Sequence, residues 1–362
     1  MRARWPPPTC RCSSTACGAR FRLAIEARLW FHDRLPYNGF VQRSPRASGD
    51  GLNVFLDFLR WWVPWEPSVT AVVAFAGAAW LYWRGARRSP AGAPRSRQLL
   101  FWLGLFTIYL SLHTHLDYYA EHEFFVNRLQ QFGLQHLGPF LVVLAYPGVV
   151  LRRGLPLSWR VRWLRPLARS TPVRRIAGFF LNPWIASLLF VGVMLFWLWP
   201  SVLFYAMLDW RLYRVMNWSM VVAGLLYWWL ILDHRPKPPA RLSPGMRVLV
   251  EMLVMVPLIV AGAYITFTTV DLYPIYSLCG RAFNGITPAT DQYLGGLILW
   301  IPGAGMSVLA AIIAFGHWLR LDAKGRLPRN RRQRELIRAR NAAAMRQSAG
   351  PDAFAGSTEK TV

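Results

Sequence analysis

Residues 248–269 read VLVEMLVMVPLIVAGAYITFTT, with Glu251 as the single charged side chain. A helix crosses the hydrocarbon core of a bilayer with about 20 mainly apolar residues. The stretch is long enough and apolar enough for that task. It therefore predicts a transmembrane helix.

Six further apolar runs lie on either side of this stretch. They are roughly Trp65–Trp83, Leu99–Tyr118, Leu129–Val150, Ile176–Pro200, Met216–Leu232 and Tyr293–Trp318. The whole chain is 54% hydrophobic and holds 19 tryptophans, more apolar and aromatic surface than a soluble domain needs. Together the runs predict an all-α fold, a polytopic bundle of about seven transmembrane helices.

The connections between the runs alternate in charge. Those after the first and third runs carry arginine and no acid, and the one after the fifth is mostly basic. Those after the second, fourth and sixth mix acids with a few arginines. Because positive connections stay in the cytoplasm, we expect the N-terminus outside and the C-terminus inside. An even number of helices would break this agreement.

The excess of basic residues has two possible meanings. The chain has 42 Lys+Arg against 17 Asp+Glu, a formal net charge of +25, which is a charge seen in nucleic-acid binders. Here the basic residues fall between long apolar runs, where they set orientation and contact anionic lipid. We therefore expect the lipid bilayer as a partner, and no nucleic acid.

Three parts of the chain are distinguished by composition. Residues 1–53 form an arginine-rich N-terminal extension, predicted to be disordered, and residues 54–320 form the seven-helix transmembrane domain. Residues 321–362 form a basic cytoplasmic tail. The extension contains Cys10, Cys12 and Cys17, whose spacing is only a weak indication of a soft-metal site.

Four histidines cluster around the hairpin between the second and third runs: His113, His115, His122 and His136. On one helix, His122 and His136 would lie about 21 Å apart, too far to share an ion. His113 and His136 lie about 8 and 10 Å below the outer ends of their runs, so we expect them to meet. A metal or a haem b between these two imidazoles is a candidate.

Polar and sulfur side chains add to this candidate site. Asn127, Gln131 and Gln135 are spaced i, i+4, i+8 and so share one helix face. Met216 and Met220 are spaced i, i+4 and could present two thioethers, which with imidazole suit Cu(I). The alternatives are an interhelical hydrogen-bond ladder for the amides and simple packing for the methionines.

No motif of an enzyme is present. The sequence shows no nucleophile–base arrangement, no phosphate-binding loop and no zinc-protease motif. Glu251, near the cytoplasmic end of its helix, is expected to pair with an arginine there. We therefore expect a non-enzymatic protein.

Several ordered stretches resemble one family. They are residues 117–125 (DYYAEHEFF), 135–140 (QHLGPF), 216–220 (MNWSM), 224–229 (GLLYWW) and 291–303 (DQYLGGLILWIPG). This pattern is similar to that of the CtaG-type (caa3-type) cytochrome c oxidase assembly factors. The resemblance runs from about residue 55 to about residue 318.

The resemblance implies a multi-pass protein of the bacterial inner (plasma) membrane. Its implied role is the maturation of haem–copper oxidases by handling copper for the binuclear centre. The implied partners are cytochrome c oxidase subunits and a copper chaperone. A transporter of copper or another small solute, and a haem b redox protein, are the alternatives.

One departure from the family bears on copper. In the family the stripe on the third run is commonly rich in histidine, whereas Asn127, Gln131 and Gln135 occupy it here. Two interpretations stay open. A copper site is built from His113, His115, His122, His136 and the Met216–Met220 pair, or the chain keeps a scaffold role without metal.

Overall fold

The structure is a computed structural model that describes residues 68–88, 94–237, 240–283, 285–323, 335–336 and 339–343. The chain divides into two units, Met1–Arg60 and Trp61–Val362, and every described residue belongs to the second. Within these ranges all regular elements are helices, which confirms the all-α prediction. The predicted N-terminal extension and most of the predicted tail lie outside the described residues.

The helices follow one another with short connections. In chain order they are α1 (Val69–Arg88), α2 (Arg95–His113), α3 (His115–His122), α4 (Phe124–Gln131), a π-helical segment (Phe132–Leu137), α5 (Gly138–Leu144), α6 (Gly148–Gly154), α7 (Leu157–Trp159), a second π-helical segment (Arg160–Leu164), α8 (Arg165–Arg169), α9 (Thr171–Phe180), α10 (Pro183–Leu198), α11 (Pro200–Leu208), α12 (Trp210–Ile231), α13 (Pro244–Phe267), α14 (Ile275–Cys279) and α15 (Pro288–Ala323). Helices lie at each of the seven predicted positions, and at the fourth, Ile176–Pro200, they are two separate helices.

Local sequence explains several helix starts. The Asn182 side chain accepts a hydrogen bond from the backbone N–H of Trp184, and Pro183 occupies the first helical position of α10. Asp209 caps α12 in the same way by accepting from the N–H of Arg211 at 2.9 Å. The cap of α12 places its start before the predicted run Met216–Leu232, whereas the cap of α10 places its start inside the predicted run Ile176–Pro200.

Length and apolarity single out fewer spans than the seven predicted. Two helices, Pro244–Phe267 and Pro288–Ala323, qualify alone. Up to five qualify when each bent pair counts as one span, the bends being 54°, 76° and 62°. The described helices thus support membrane association, and the count of seven stays a prediction.

The helix pieces α4, the first π-helical segment and α5 form one rod, Phe124–Leu144, which we call the central helix. It contacts α2, α12 and α15. Close approach needs glycine at two of these contacts, because a Cβ at Gly104 of α2 would clash with the backbone of Gly138 and Val142. A Cβ at Gly224 of α12 would clash with the carbonyl of Gln135. The central helix therefore lies in the core of the bundle.

The helix connections gather at two ends. The first, the acidic end, joins the connections α2–α4, α10–α12 and α13–α15, which carry Asp117, Glu121, Glu123, Asp209, Asp271 and Asp291. There, Tyr213 donates to Asp117 at 2.9 Å, and Tyr273 donates to the carbonyl of Leu198 at 2.9 Å. These bonds link all three connections.

The second, the arginine end, joins the connections α1–α2, α5–α10 and α12–α13. Tyr146 donates to the carbonyl of Leu232 at 3.1 Å, and Arg241 donates to the carbonyl of Gly178 at 3.1 Å. Tyr82 packs face to face on Phe101 with ring centroids 3.7 Å apart. The grouping into alternate connections is the one that the charge pattern predicts.

Candidate functional site

The three amides of the central helix are all fully buried, at 0% exposure each. Each contacts a different partner: Asn127 accepts from Arg128 at 2.6 Å, Gln131 donates to the sulfur of Met216 at 3.3 Å, and Gln135 donates to the carbonyl of Phe190 at 2.7 Å. The amides therefore face the bundle interior, as predicted. The bonds run to α4 itself, α12 and α10 rather than along a single ladder.

Each of these amides keeps one atom without a hydrogen bond to any described residue. The atoms are Nδ2 of Asn127, Oε1 of Gln131 and Oε1 of Gln135. A buried polar atom without a partner costs about 1–3 kcal/mol, so native proteins retain few of them. Their concentration on one helix marks the central helix as the candidate site.

Two methionines of α12 face this row. Met216 and Met220 are both buried at 0% exposure, and one helical turn separates them. The Met216 sulfur is held by the Gln131 amide, so its position relative to the central helix is fixed. The structure thus brings Met216 of the predicted methionine pair into contact with the predicted amide stripe, and Met220 lies one turn further along the same helix.

His136 lies inside the π-helical segment and is 2% exposed. Its ring lies 5.1 Å from Phe190 and 6.4 Å from Trp228, between ring centroids. Neither ring nitrogen bonds to any described residue. Gly303 of α15 lies next to Nε2, since a Cβ added there would be 3.8 Å from this nitrogen, in ordinary van der Waals contact. Insertions of this π type occur often at functional sites, because they redirect side chains.

His113 ends α2, also 2% exposed and also without a described partner for either ring nitrogen. The helix register sets its depth, because Ser111 lies against Gly133 and Ile108 against Gly138. His113 is thus level with the start of the π-helical segment, and His136 lies about 6 Å deeper. The depths of about 8 and 10 Å expected from run lengths differ from this arrangement, because α2 ends at His113 and the central helix begins at Phe124.

The other two predicted histidines lie nearer the surface. His115 begins α3 and is partly buried. His122 ends α3, where its Nδ1 lies 2.8 Å from the carbonyl of Tyr118 and its ring lies 4.3 Å from the Tyr118 ring. Among residues 68–323 that the structure describes, no three or more His, Cys, Asp or Glu side chains are grouped closely enough to hold a metal. A metal site in this part of the chain would therefore need thioether donors in addition to a single imidazole.

A second polar network, which the sequence did not indicate, closes the acidic end above this row. Glu123 and Asp291 are buried, and both accept from Nη1 of Arg281, at 2.9 and 2.8 Å. Asp291 also accepts the backbone N–H groups of Phe124 and Phe125, at 3.0 and 2.8 Å. The carboxylate of α15 thus caps the start of the central helix.

The family model for the cytochrome c oxidase caa3 assembly factor matches residues 79–321. The chain belongs to this family. Comparison with curated proteins and with solved structures gave no match.

The match covers the central helix and every residue of the candidate site in this assembly factor. It also confirms the resemblance read from residues 117–125, 135–140, 216–229 and 291–303, all of which fall inside it. The matched region begins within α1 and ends within the last turn of α15. Family membership supports a role in oxidase assembly and a location in a membrane.

A third network of the assembly factor joins α3, α12 and the central helix. Gln130 donates to Asp117 at 2.5 Å and to the carbonyl of Ser111 at 2.7 Å. Tyr213 hydrogen-bonds to the same Asp117 oxygen and lies 3.1 Å from Oε1 of Gln130. Gln130 was not predicted, because it lies outside the helix face that Asn127, Gln131 and Gln135 share, although it is a fourth amide in the same segment.

Burial also changes the acidity of the acidic end. Burial raises the pKa of the Glu123 carboxyl, and the charge of Asp291 adds to the rise. The backbone N–H of Phe283 and the Arg281 guanidinium oppose it. The acidic end therefore contains a carboxyl that takes up a proton more readily than one in water.

Proposed function

We propose that this assembly factor is non-enzymatic and handles copper for the binuclear centre of cytochrome c oxidase. The copper would be held as Cu(I), its cargo, by Met216, Met220 and His136 at the central helix. Cu(I) prefers thioether and imidazole ligands, and tolerates two to four of them. The proposed partners are the oxidase subunits and a copper chaperone that donates the metal.

A single observation carries this proposal. The buried Met216 sulfur accepts a hydrogen bond from Gln131, one of the three buried amides that keep an atom without a partner. Most methionines in membrane helices are instead held by apolar packing alone. A thioether already oriented by an amide loses little freedom when it binds a soft cation. The neighbouring Met220 and the unpartnered nitrogens of His136 supply further soft donors.

We further propose that the chain crosses the bacterial inner membrane about seven times, with the acidic end outside. The support is the charge pattern, since α1–α2 and α5–α10 connections rich in arginine stay in the cytoplasm. In this orientation the polar row begins, at Asn127, nearest to the side from which copper arrives. Fusing a reporter enzyme active on one side only to the connections at each end tests the orientation.

The copper site is tested by metal analysis of the purified full-length chain, reduced and loaded with Cu(I). We expect about one copper per chain, and a loss of at least tenfold in affinity for His136→Ala and for the Met216→Leu, Met220→Leu double variant. Met246→Leu, an exposed methionine of α13, and His234→Ala, at the arginine end, are the matched controls. Equal copper in all variants would refute the site.

A deletion strain tests the role in assembly. We expect oxidase subunits to be synthesised but to lack copper at the binuclear centre. Normal copper content in the oxidase would refute copper handling while leaving a scaffold role. A haem absorption band in the purified chain, or copper uptake by vesicles containing it, would instead favour the redox or transport alternatives.

A further inference from the structure

Glu251 of α13 is the one acidic residue in the middle part of a described apolar helix, and it is fully buried. Its Oε2 accepts a hydrogen bond from the hydroxyl of Tyr227 on α12. Ser307 of α15 lies beside the carboxyl, while Oε1 makes no hydrogen bond to a described residue. The Glu251 carboxyl of α13 thus lies beside one hydroxyl from α12 and one from α15.

The expected arginine partner does not pair with this carboxyl. Arg247, one turn earlier on α13, directs its guanidinium to the backbone carbonyls of Asp233, Arg235 and Leu242. The carbonyls of Asp233 and Arg235 lie just beyond the C-terminus of α12, where the helix dipole favours a positive charge, and that of Leu242 lies just before α13. The Arg247 guanidinium therefore binds the connection between α12 and α13 and not Glu251.

The other elements packed around Glu251 supply no cation either. Helix α10 carries no charged or titratable side chain, and Tyr227 is the only titratable residue in the second half of α12. On α15, His317 lies ten residues beyond Ser307, about 15 Å along the axis. On the central helix the nearest titratable group is His136, beyond the ring of Phe190.

An ionised carboxylate in such surroundings is unfavourable. Desolvation of a charge exceeds what a single hydroxyl donor returns, unless a counter-charge is adjacent. The comparison within this chain is direct: the buried carboxylates of Glu123 and Asp291 share Arg281, whereas Glu251 has hydroxyls only. Ionisable groups at such depth are functional candidates by default.

We propose that Glu251, Tyr227 and Ser307 form a buried proton-binding site, in which the Glu251 carboxyl carries an exchangeable proton. All its donors are hard oxygens, which do not suit Cu(I). The site is distinct from the thioether and imidazole site proposed above, and it does not depend on that site.

The two sites are close enough to influence each other. The Tyr227 ring stacks on Phe190 at 4.2 Å, and Phe190 lies 5.1 Å from His136. A cation at His136 favours an ionised Glu251, so loading one Cu(I) releases a proton from the carboxyl to solvent. This coupling, unlike the proton site, rests on the proposed function.

Dicyclohexylcarbodiimide tests the proton site, because it adds to protonated carboxyls in apolar surroundings. The full-length, metal-free chain in detergent is treated near pH 7, and the modified residues are mapped by mass spectrometry. We expect modification of Glu251, none of Glu123 or Asp291, and none at this position in Glu251→Gln. An unmodified Glu251, or equal modification of Glu123, would overturn the proposal.

Tyr227→Phe is the second variant, and Tyr213→Phe at the acidic end is its control. Removing the Tyr227 hydroxyl removes the donor that favours the ionised carboxylate, so Glu251 modification persists to higher pH than in the parent chain. Tyr213→Phe leaves the pH profile unchanged. Identical profiles for both variants, or protection by sodium at constant pH, would overturn the proton assignment.

Adding copper tests the coupling between metal binding and the Glu251 proton separately from the proton site itself. Addition of Cu(I) to the chain is expected to lower Glu251 modification several-fold, and His136→Ala to remove that effect. Unchanged modification with copper bound would overturn the coupling. Failure of copper to bind would refute the proposed function and leave the carbodiimide result as a separate test.

Discussion

The acidic end and the arginine end are held together by opposite chemistry. At the acidic end, the side chains of Glu123 and Asp291 accept hydrogen bonds from Arg281 and from the backbone at the start of the central helix. At the arginine end, Arg247 donates to the backbone carbonyls of Asp233 and Arg235, just past α12. Acids therefore meet a helix N-terminus and an arginine meets a C-terminus, in accord with the helix dipole.

This difference shows that the alternating charges have two roles. In the proposed orientation they keep the arginine-rich connections in the cytoplasm. They also supply the donors and acceptors that join the connections at each end. Variants that damage one end should therefore destabilise the bundle without reversing its orientation.

The largest effect is expected at Asp291. Asp291→Ala removes the acceptor of two backbone N–H groups and one of the two carboxylates at Arg281, so it should lower the free energy of unfolding by about 3–5 kcal/mol. Unfolding of the detergent-solubilised chain by dodecyl sulfate, followed by circular dichroism, measures it. Asp271→Ala is the control, since Asp271 is exposed and accepts only the N–H of Tyr273, at 3.0 Å. Equal losses would contradict the role of the acidic end.

The sequence predicted the long helices because apolarity over about 20 residues is a local property. It also predicted that Asn127, Gln131 and Gln135 are buried, since helical spacing puts them on one face. The partners were not predictable: Asp291 and Phe124 lie 167 positions apart and meet only through packing of α15 on the central helix.

The depths of the histidines in the bundle were likewise not predictable from the sequence. The breaks at Thr114 and Glu123 end α2 and start the central helix, and they decided the positions of His113 and His136. The π-helical segment was also missed, because no residue type in Phe132–Leu137 signals an extra residue per turn. The proposed copper site was not predictable from one stretch of sequence, since the sulfur of Met216 and the amide of Gln131 come from different helices.

A smaller effect is expected at the arginine end. Arg247→Lys keeps the charge but not the planar fork that reaches three carbonyls, so the free energy of unfolding should fall by about 2 kcal/mol. Arg241→Lys, an exposed arginine that donates to one carbonyl, should change it by about 0.5 kcal/mol or less. The same unfolding assay measures both. A loss for Arg247→Lys as large as that for Asp291→Ala would contradict the expectation that the acidic end contributes more to the free energy of unfolding than the arginine end.

The smallest effect is a difference in pH dependence. At the arginine end, burial raises the pKa of Asp233, but the hydrogen bonds and charge of Arg235, with the charge of Arg247, lower it overall. Glu123 at the acidic end has a raised pKa, for which burial is the largest cause. The two carboxyls thus shift in opposite directions from their ordinary values of 3.8 and 4.5.

These opposite pKa shifts make the stability contributions of Glu123 and Asp233 change with pH in opposite directions. The stabilisation from Glu123 is fully present below pH 4.5 and is lost as pH rises, because the folded chain binds that proton more tightly. The stabilisation from Asp233 is present above pH 3.8 and is lost as pH falls. The advantage of the parent chain over Glu123→Gln should therefore shrink between pH 4 and 7, and its advantage over Asp233→Asn should grow from pH 3 to 5, each by roughly 1 kcal/mol or less. Parallel curves for the two variants would show that charge pairing, not burial, governs both ends, because pairing lowers the pKa of either carboxyl.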